Sequence, residues 1–258
     1  MEKYKFAYPH QHPNHTPPVM ERKNFLKSLL VGAVSVPALL SACSKDDVTP
    51  DTASAGTTGG TGTPGNCAVA PTETEGPFPT KAPASFVRSD ITDGKTGHKL
   101  TARITIANSN SNCAALAGAI VDIWHCDAEG NYSEYGGSSM QSTNYTGVHF
   151  LRGRQVTDAN GLVTFTSIFP GWYSGRATHI HVHVYSASGT SLKVTQIAFP
   201  EGAGTAVAAV NGYAKGLSGY TTNAKDNVFR DGVAQELATV TGNTTEGFQL
   251  AISFAVAA

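Results

Sequence analysis

The chain has 258 residues, a formal net charge of -1 and only 14% charged residues. That length suits one sizeable domain with a sizeable core and leaves little for a second. So small a net charge favours neither nucleic acid nor an anionic membrane surface as an electrostatic partner.

In chain order, the first feature is a targeting segment. Lys23 and Lys27 stand before and within a basic start, and an apolar run follows over residues 29–40. The run is too short, and too interrupted by Pro37, for a comfortable transmembrane helix. It ends in Leu40-Ser41-Ala42-Cys43, which resembles a bacterial lipobox with Cys43 as the acylated first residue of the mature protein. An ordinary secretory signal with a coincidental cysteine is the alternative. The residues before Met20 lack the look of a signal n-region, which makes Met20 the expected true start. Residues 1–42 are thus expected to be a signal peptide. Residues 43–66, rich in Ser, Thr, Gly, Asp and Pro, read as a lipid-anchored flexible linker, and residues 67–258 as the domain. The expected location is exported and anchored to a bacterial membrane through lipid on Cys43, periplasmic or at the cell surface. Export permits a disulfide. Cys67 and Cys113 lie in polar, loop-like surroundings and are the preferred pair, whereas Cys126 sits in an apolar run that suits a buried free thiol; the sequence alone leaves the pairing among the three open.

From Cys67 onward the pattern is β, with short β-branched and aromatic runs punctuated by Gly, Asn, Asp and Ser. It predicts strands over 101–107, 119–125, 162–168, 179–185 and 192–199, and a final pair over 236–240 and 248–255. Asp158-Ala159-Asn160-Gly161 is a turn signal before the third of these. Residues 202–231, rich in Gly, Ala and Asn, are expected to be irregular, with a short helical turn at most. The fold class is all-β, a two-sheet β-sandwich with long functional loops.

The strongest chemical signal is His179-Ile180-His181-Val182-His183-Val184. On a strand, Ile180, Val182 and Val184 face one way, and the three histidines form a row on the other face. Imidazoles at i and i+2 are well placed to hold one metal ion. That pattern also suits zinc or copper, and His179, His181 and His183 together are the rival set. Two tyrosines narrow the choice. Tyr173 lies on a loop leading into the histidine strand, and Tyr132 ends the turn Asp127-Ala-Glu-Gly130-Asn131-Tyr132. A hard trivalent cation holds phenolate at neutral pH, so two phenols and two imidazoles suit iron(III) better than zinc. Tyr135 and Tyr145 lie close enough in sequence to compete with Tyr132.

Several segments together resemble the intradiol ring-cleaving dioxygenases (catechol, hydroxyquinol and protocatechuate enzymes). Residues 116–132 are similar to the segment that delivers their first tyrosinate, and residues 152–161 to the following hairpin. Phe169-Pro170-Gly171-Trp172-Tyr173, then Arg176, then His179-Ile180-His181, resemble the segment that carries their second tyrosinate, arginine and two histidines. Thr195-Gln196 stands in the place of their glutamine, and Thr74-Glu75-Gly76-Pro77-Phe78 resembles their N-terminal Thr-x-Gly-Pro-type motif. The resemblance spans residues 67–200, and the tail 201–258 matches less clearly. The link between Tyr173 and His179 is shorter than in many of those enzymes, so substrate identity does not carry over.

The resemblance implies Fe(3+) on Tyr132, Tyr173, His179 and His181, a catechol-type substrate and O2 as partners, and catalytic roles for Arg176, Gln196 and Tyr173. His125 and His183 receive no role. Arg152 and Arg154 are expected on a solvated hairpin, and Glu73 and Glu75 in a loop without catalysis. A rival reading is an exported transthyretin-like binding module, which accounts for residues 116–170 but not for Tyr173, Arg176, His179 and His181 together. The sequence leaves open whether the chain forms an oligomer.

Overall fold

The computed structural model describes residues 67–258. The expected signal segment, Met20, Cys43 and the expected linker lie outside these residues. Among the described residues no helix is long and apolar enough to cross a membrane.

Short runs rich in β-branched and aromatic residues build two antiparallel-rich sheets. One contains β1 (Lys99–Asn108), β2 (Ala114–Ala115), β5 (Leu162–Ile168), β8 (Thr239–Asn243) and β9 (Gly247–Val256). Its central pair, β1 with β9, is parallel, and β5 runs antiparallel along the other edge of β1. The second sheet has the order β4 (Arg152–Val156), β3 (Ile120–Trp124), β6 (His179–Tyr185), β7 (Ser191–Ala198). Inward residues of both sheets form one core: Leu100, Ile104, Phe165, Phe248 and Phe254 from the first, and Val121, Ile123, Ile180, Val182, Val184 and Ile197 from the second. Each such side chain, fully buried, contributes roughly 1.5–3 kcal/mol of transfer free energy.

The turn expected at Asp158–Gly161 forms. Asp158 Oδ1 accepts the N–H groups of Asn160 and Leu162. Gly161 has φ +70°, and a Cβ there would stand 2.3 Å from the Ile106 carbonyl oxygen. Residues 202–231 hold only the five-residue helix α1 (Ala206–Val210) and two single 3-10 turns. Cys67 and Cys113 are bonded, and Cys126 is free and buried.

Two expectations need correction. The strand expected over 236–240 begins only at Thr239, because Glu236 and Leu237 turn back on Val233 and bridge to Ala198 of β7. Arg152 is not solvated but fully buried, since its guanidinium is taken up by Ser133, Thr80 and the Phe78 carbonyl of the N-terminal segment. Arg154, on the same face, pairs with Asp122 through two 2.6 Å contacts.

Candidate metal centre

The outward face of the second sheet carries the site. Register pairs His181 of β6 with Trp124 of β3 on one side and Gln196 of β7 on the other. This face is polar but covered. His179 and His181 are almost wholly buried, beneath the loop that follows β3, the loop before β6 and the segment around Gly76.

Four groups converge there. The Tyr132 hydroxyl lies 3.2 Å from His179 Nε2, and His179 Nε2 lies 3.2 Å from His181 Nε2. The rings of Tyr132 and Tyr173 meet edge to face at 5.8 Å. Arg176 Nη1 stands 3.4 Å from the Tyr173 hydroxyl and 3.3 Å from His179 Nε2. His179 Nδ1 donates to the Ala177 carbonyl at 2.6 Å, which leaves the Nε2 lone pair for the centre.

The electrostatics leave these groups as neutral donors when no ion is bound. Burial pushes both imidazoles well below their usual range, and the charge of Arg176 adds to it, so both rings are neutral. Burial, with Tyr173 beside it, holds the Tyr132 phenol well above its ordinary value. A phenolate so deep in the protein is stable only next to a positive ion. Ligand atoms of one first-row metal ion, each about 2 Å from it, lie roughly 3 Å from one another, as the Tyr132 and histidine atoms do. Among the described residues no group of three His, Cys, Asp or Glu side chains is arranged to hold a metal. A centre here therefore needs its tyrosines, and the donor set fits iron(III).

The competing residues are engaged elsewhere. His183 Nδ1 meets Glu75 Oε1 at 2.9 Å and its Nε2 meets Ser191 Oγ at 2.7 Å, which removes it from the three-histidine alternative. Tyr135 donates to the Pro79 carbonyl, and Tyr145 contacts Lys95. His125 is buried between the Cys126 carbonyl and Ser167. Gln196 accepts from Arg176 Nη2 and donates to the Thr74 carbonyl at 2.8 Å, so it ties the arginine to the N-terminal segment. That segment continues over the site. Gly76 sits on the His181 ring, and Phe78 stacks on Tyr132 at 4.8 Å. Glu73 lies at its edge, where burial and Asp231 raise its carboxyl above the usual range.

Sequence reasoning missed two residues. Trp124 stacks on His181 and has only its place beside the histidine strand as a signal. Asp226 grips Arg176 from within the irregular stretch, and no local pattern marks it.

Four known relatives or family patterns are similar to this chain. The family model described as Dioxygenase matches residues 75–237. A chlorocatechol 1,2-dioxygenase of Rhodococcus opacus is 28% identical over 116 residues, and the match spans 38% of this chain and only 42% of that enzyme. The solved intradiol ring-cleavage dioxygenase from Tetranychus urticae is similar at a TM-score of 0.64 and 26% identity, covering 74% of this chain and 95% of that one. The dioxygenase domain of a dioxygenase carbohydrate-binding protein fusion from Streptomyces sp. SirexAA-E is similar at 0.53 and 25% identity, covering 74% and 99%.

Proposed function

The chain belongs to the intradiol ring-cleavage dioxygenase family, and on that premise we propose that Tyr132, Tyr173, His179 and His181 hold iron(III) and that the protein opens a catechol-type ring with O2. The bond broken joins the two hydroxyl-bearing carbons, and the product is a muconate-type diacid. The observation that carries this reading is the convergence of two phenols and two neutral imidazoles at one buried point beside a guanidinium. When bound, the ferric ion supplies Lewis acidity and the charge that keeps the phenols ionised.

The chain's own residues divide the remaining work. Tyr132 is fully buried and Tyr173 only partly so. Tyr173 Oη is therefore the oxygen that can swing aside and accept a substrate hydroxyl proton. Arg176 Nη1, beside that oxygen, stabilises negative charge as it develops on the ring. Gln196 holds the other Nη group in place. Phe78 and Trp124 wall off water from the imidazoles and phenols. We also propose, from the sequence, export and lipid anchoring through Cys43. Intact mass of the native protein checks that independently of the chemistry.

The first experiment is a visible spectrum with metal analysis on purified protein. A burgundy colour with about one iron per chain, shifting when catechol is added without oxygen and followed by ring-opened product in air, supports the reading. A protein that stays colourless after iron reconstitution sinks it.

A further inference from the structure

We infer that Asp226 is a positioning residue for ring cleavage, gripping Arg176 through Nε and so aiming Nη1 at Tyr173 and His179 while Nη2 is held by Gln196. The inference rests on the ring-cleavage reading above.

Asp226 is fully buried and has four contacts. Its Oδ1 accepts from Arg176 Nε at 3.0 Å and from the Val228 N–H at 2.9 Å. Its Oδ2 accepts from the same Nε at 2.8 Å and from the Ala177 N–H at 2.8 Å. A carboxylate that takes a guanidinium end-on uses up its Nη donors. Here both oxygens close on Nε, the one N–H that points back from the fork. Nη1 is left facing the Tyr173 hydroxyl and His179, and Nη2 reaches Gln196. The Phe229 ring lies 5.7 Å from the guanidinium carbon. An arginine side chain otherwise samples many rotamers, so a fixed grip decides where its charge sits. The bond to Ala177 N adds a second function. It locks the backbone one residue after Arg176 and two before His179, so the guanidinium and the histidine strand are placed as one unit.

The test compares Asp226→Asn, Asp226→Glu, Arg176→Gln and the double variant Arg176→Gln/Asp226→Asn. The asparagine keeps the size and can still accept a backbone N–H, but loses the charge that holds Nε. Asp226→Asn is expected to bind iron with wild-type colour and to bind catechol without oxygen within about threefold of wild type, while kcat falls roughly 10- to 100-fold. Asp226→Glu is expected to recover part of kcat. The double variant is expected to be no slower than Arg176→Gln alone, because Asp226 acts only through that arginine. An Asp226→Asn protein with wild-type kcat overturns the inference. So does a double variant slowed below Arg176→Gln by the full factor that Asp226→Asn costs the wild type. Should Asp226→Asn fail to fold, Asp226→Glu decides: unchanged kcat with unchanged sensitivity to Arg176→Gln refutes the positioning role, and a reduced kcat at wild-type iron content supports it. A coloured, active wild type with an indifferent Asp226 removes this inference alone. A colourless, inactive wild type removes it together with the ring-cleavage reading.

Discussion

The indole of Trp124 lies flat on the imidazole of His181, with ring centroids 4.9 Å apart and planes within 1° of parallel. The two residues are cross-strand partners in β3 and β6. His181 Nδ1 makes no close hydrogen bond, although the Thr74 backbone lies near the ring, whereas a ligating histidine is ordinarily oriented by its second nitrogen. The stack shares that orienting role. Trp124→Leu is therefore expected to weaken iron binding by about 10-fold or more and to cost about 3 kcal/mol of stability. Trp124→Phe should keep most of both, since the indole N–H is itself unpartnered. Chelator competition and urea unfolding measure the two effects. Undiminished iron affinity in Trp124→Leu would show that the stack does not orient the ligand.

Gly76 also lies close against this ring. Its φ is +68°, and an added Cβ would stand 3.0 Å from His181 Cε1. Gly76→Ala should cost about 1–2 kcal/mol from the left-handed backbone and should also shift the visible band by moving His181. Gly137 has the same φ of +68° with open space around it. Gly137→Ala should therefore show the stability loss without the spectral shift, and equal spectra for the two variants would refute the contact.

Tyr132 and Tyr135 are three residues apart but have opposite fates. The first meets His179, and the second donates to the Pro79 carbonyl at 2.6 Å. Tyr132→Phe should lose bound iron or colour. Tyr135→Phe should keep both and lose only about 1 kcal/mol of stability for the missing hydrogen bond. Metal analysis beside the spectrum distinguishes the two, and a fully active Tyr132→Phe would overturn the ligand assignment.

Two buried groups shape the acid response in opposite directions. Burial pushes His125 down to about 4 and pushes the Glu236 carboxyl up to about 7. As pH falls from 6.5 to about 4, the unfolded chain takes up a proton that His125 in the fold refuses. His125 thus lowers stability through that window, by ~3 kcal/mol in full. Glu236 behaves inversely. Its contribution is present below the unfolded value of 4.5 and is lost as pH rises through about 7. Relative to wild type, His125→Gln should gain stability as pH falls from 6.5 toward 4, and Glu236→Gln should lose it as pH falls from 7 toward 4.5. Urea midpoints across that range test both, and parallel curves for all three proteins would refute the assignment.

The period-two pattern of residues 179–184 was enough to put Ile180, Val182 and Val184 into the core and three histidines on the opposite face. Alternation is a property of the strand backbone itself and needs no knowledge of neighbours. The turn at Asp158–Gly161 and the short irregular helix were legible for similarly local reasons of turn chemistry and composition, whereas the sequence only favoured the Cys67–Cys113 bond that the structure forms. The histidine row did not say which two members would converge with Tyr132. That depended on Glu75, 108 residues away in sequence, arriving at His183, and on the loop after β3 bringing Tyr132 rather than Tyr135 to His179. Nor did any local pattern announce that Asp226 would reach back 50 residues to Arg176, or that Arg152 would be buried by the Phe78 segment. Such encounters follow from how separate loops close over one sheet face. They are selected by burial and by the need to pair every buried charge, and those forces act only once the sheets have assembled.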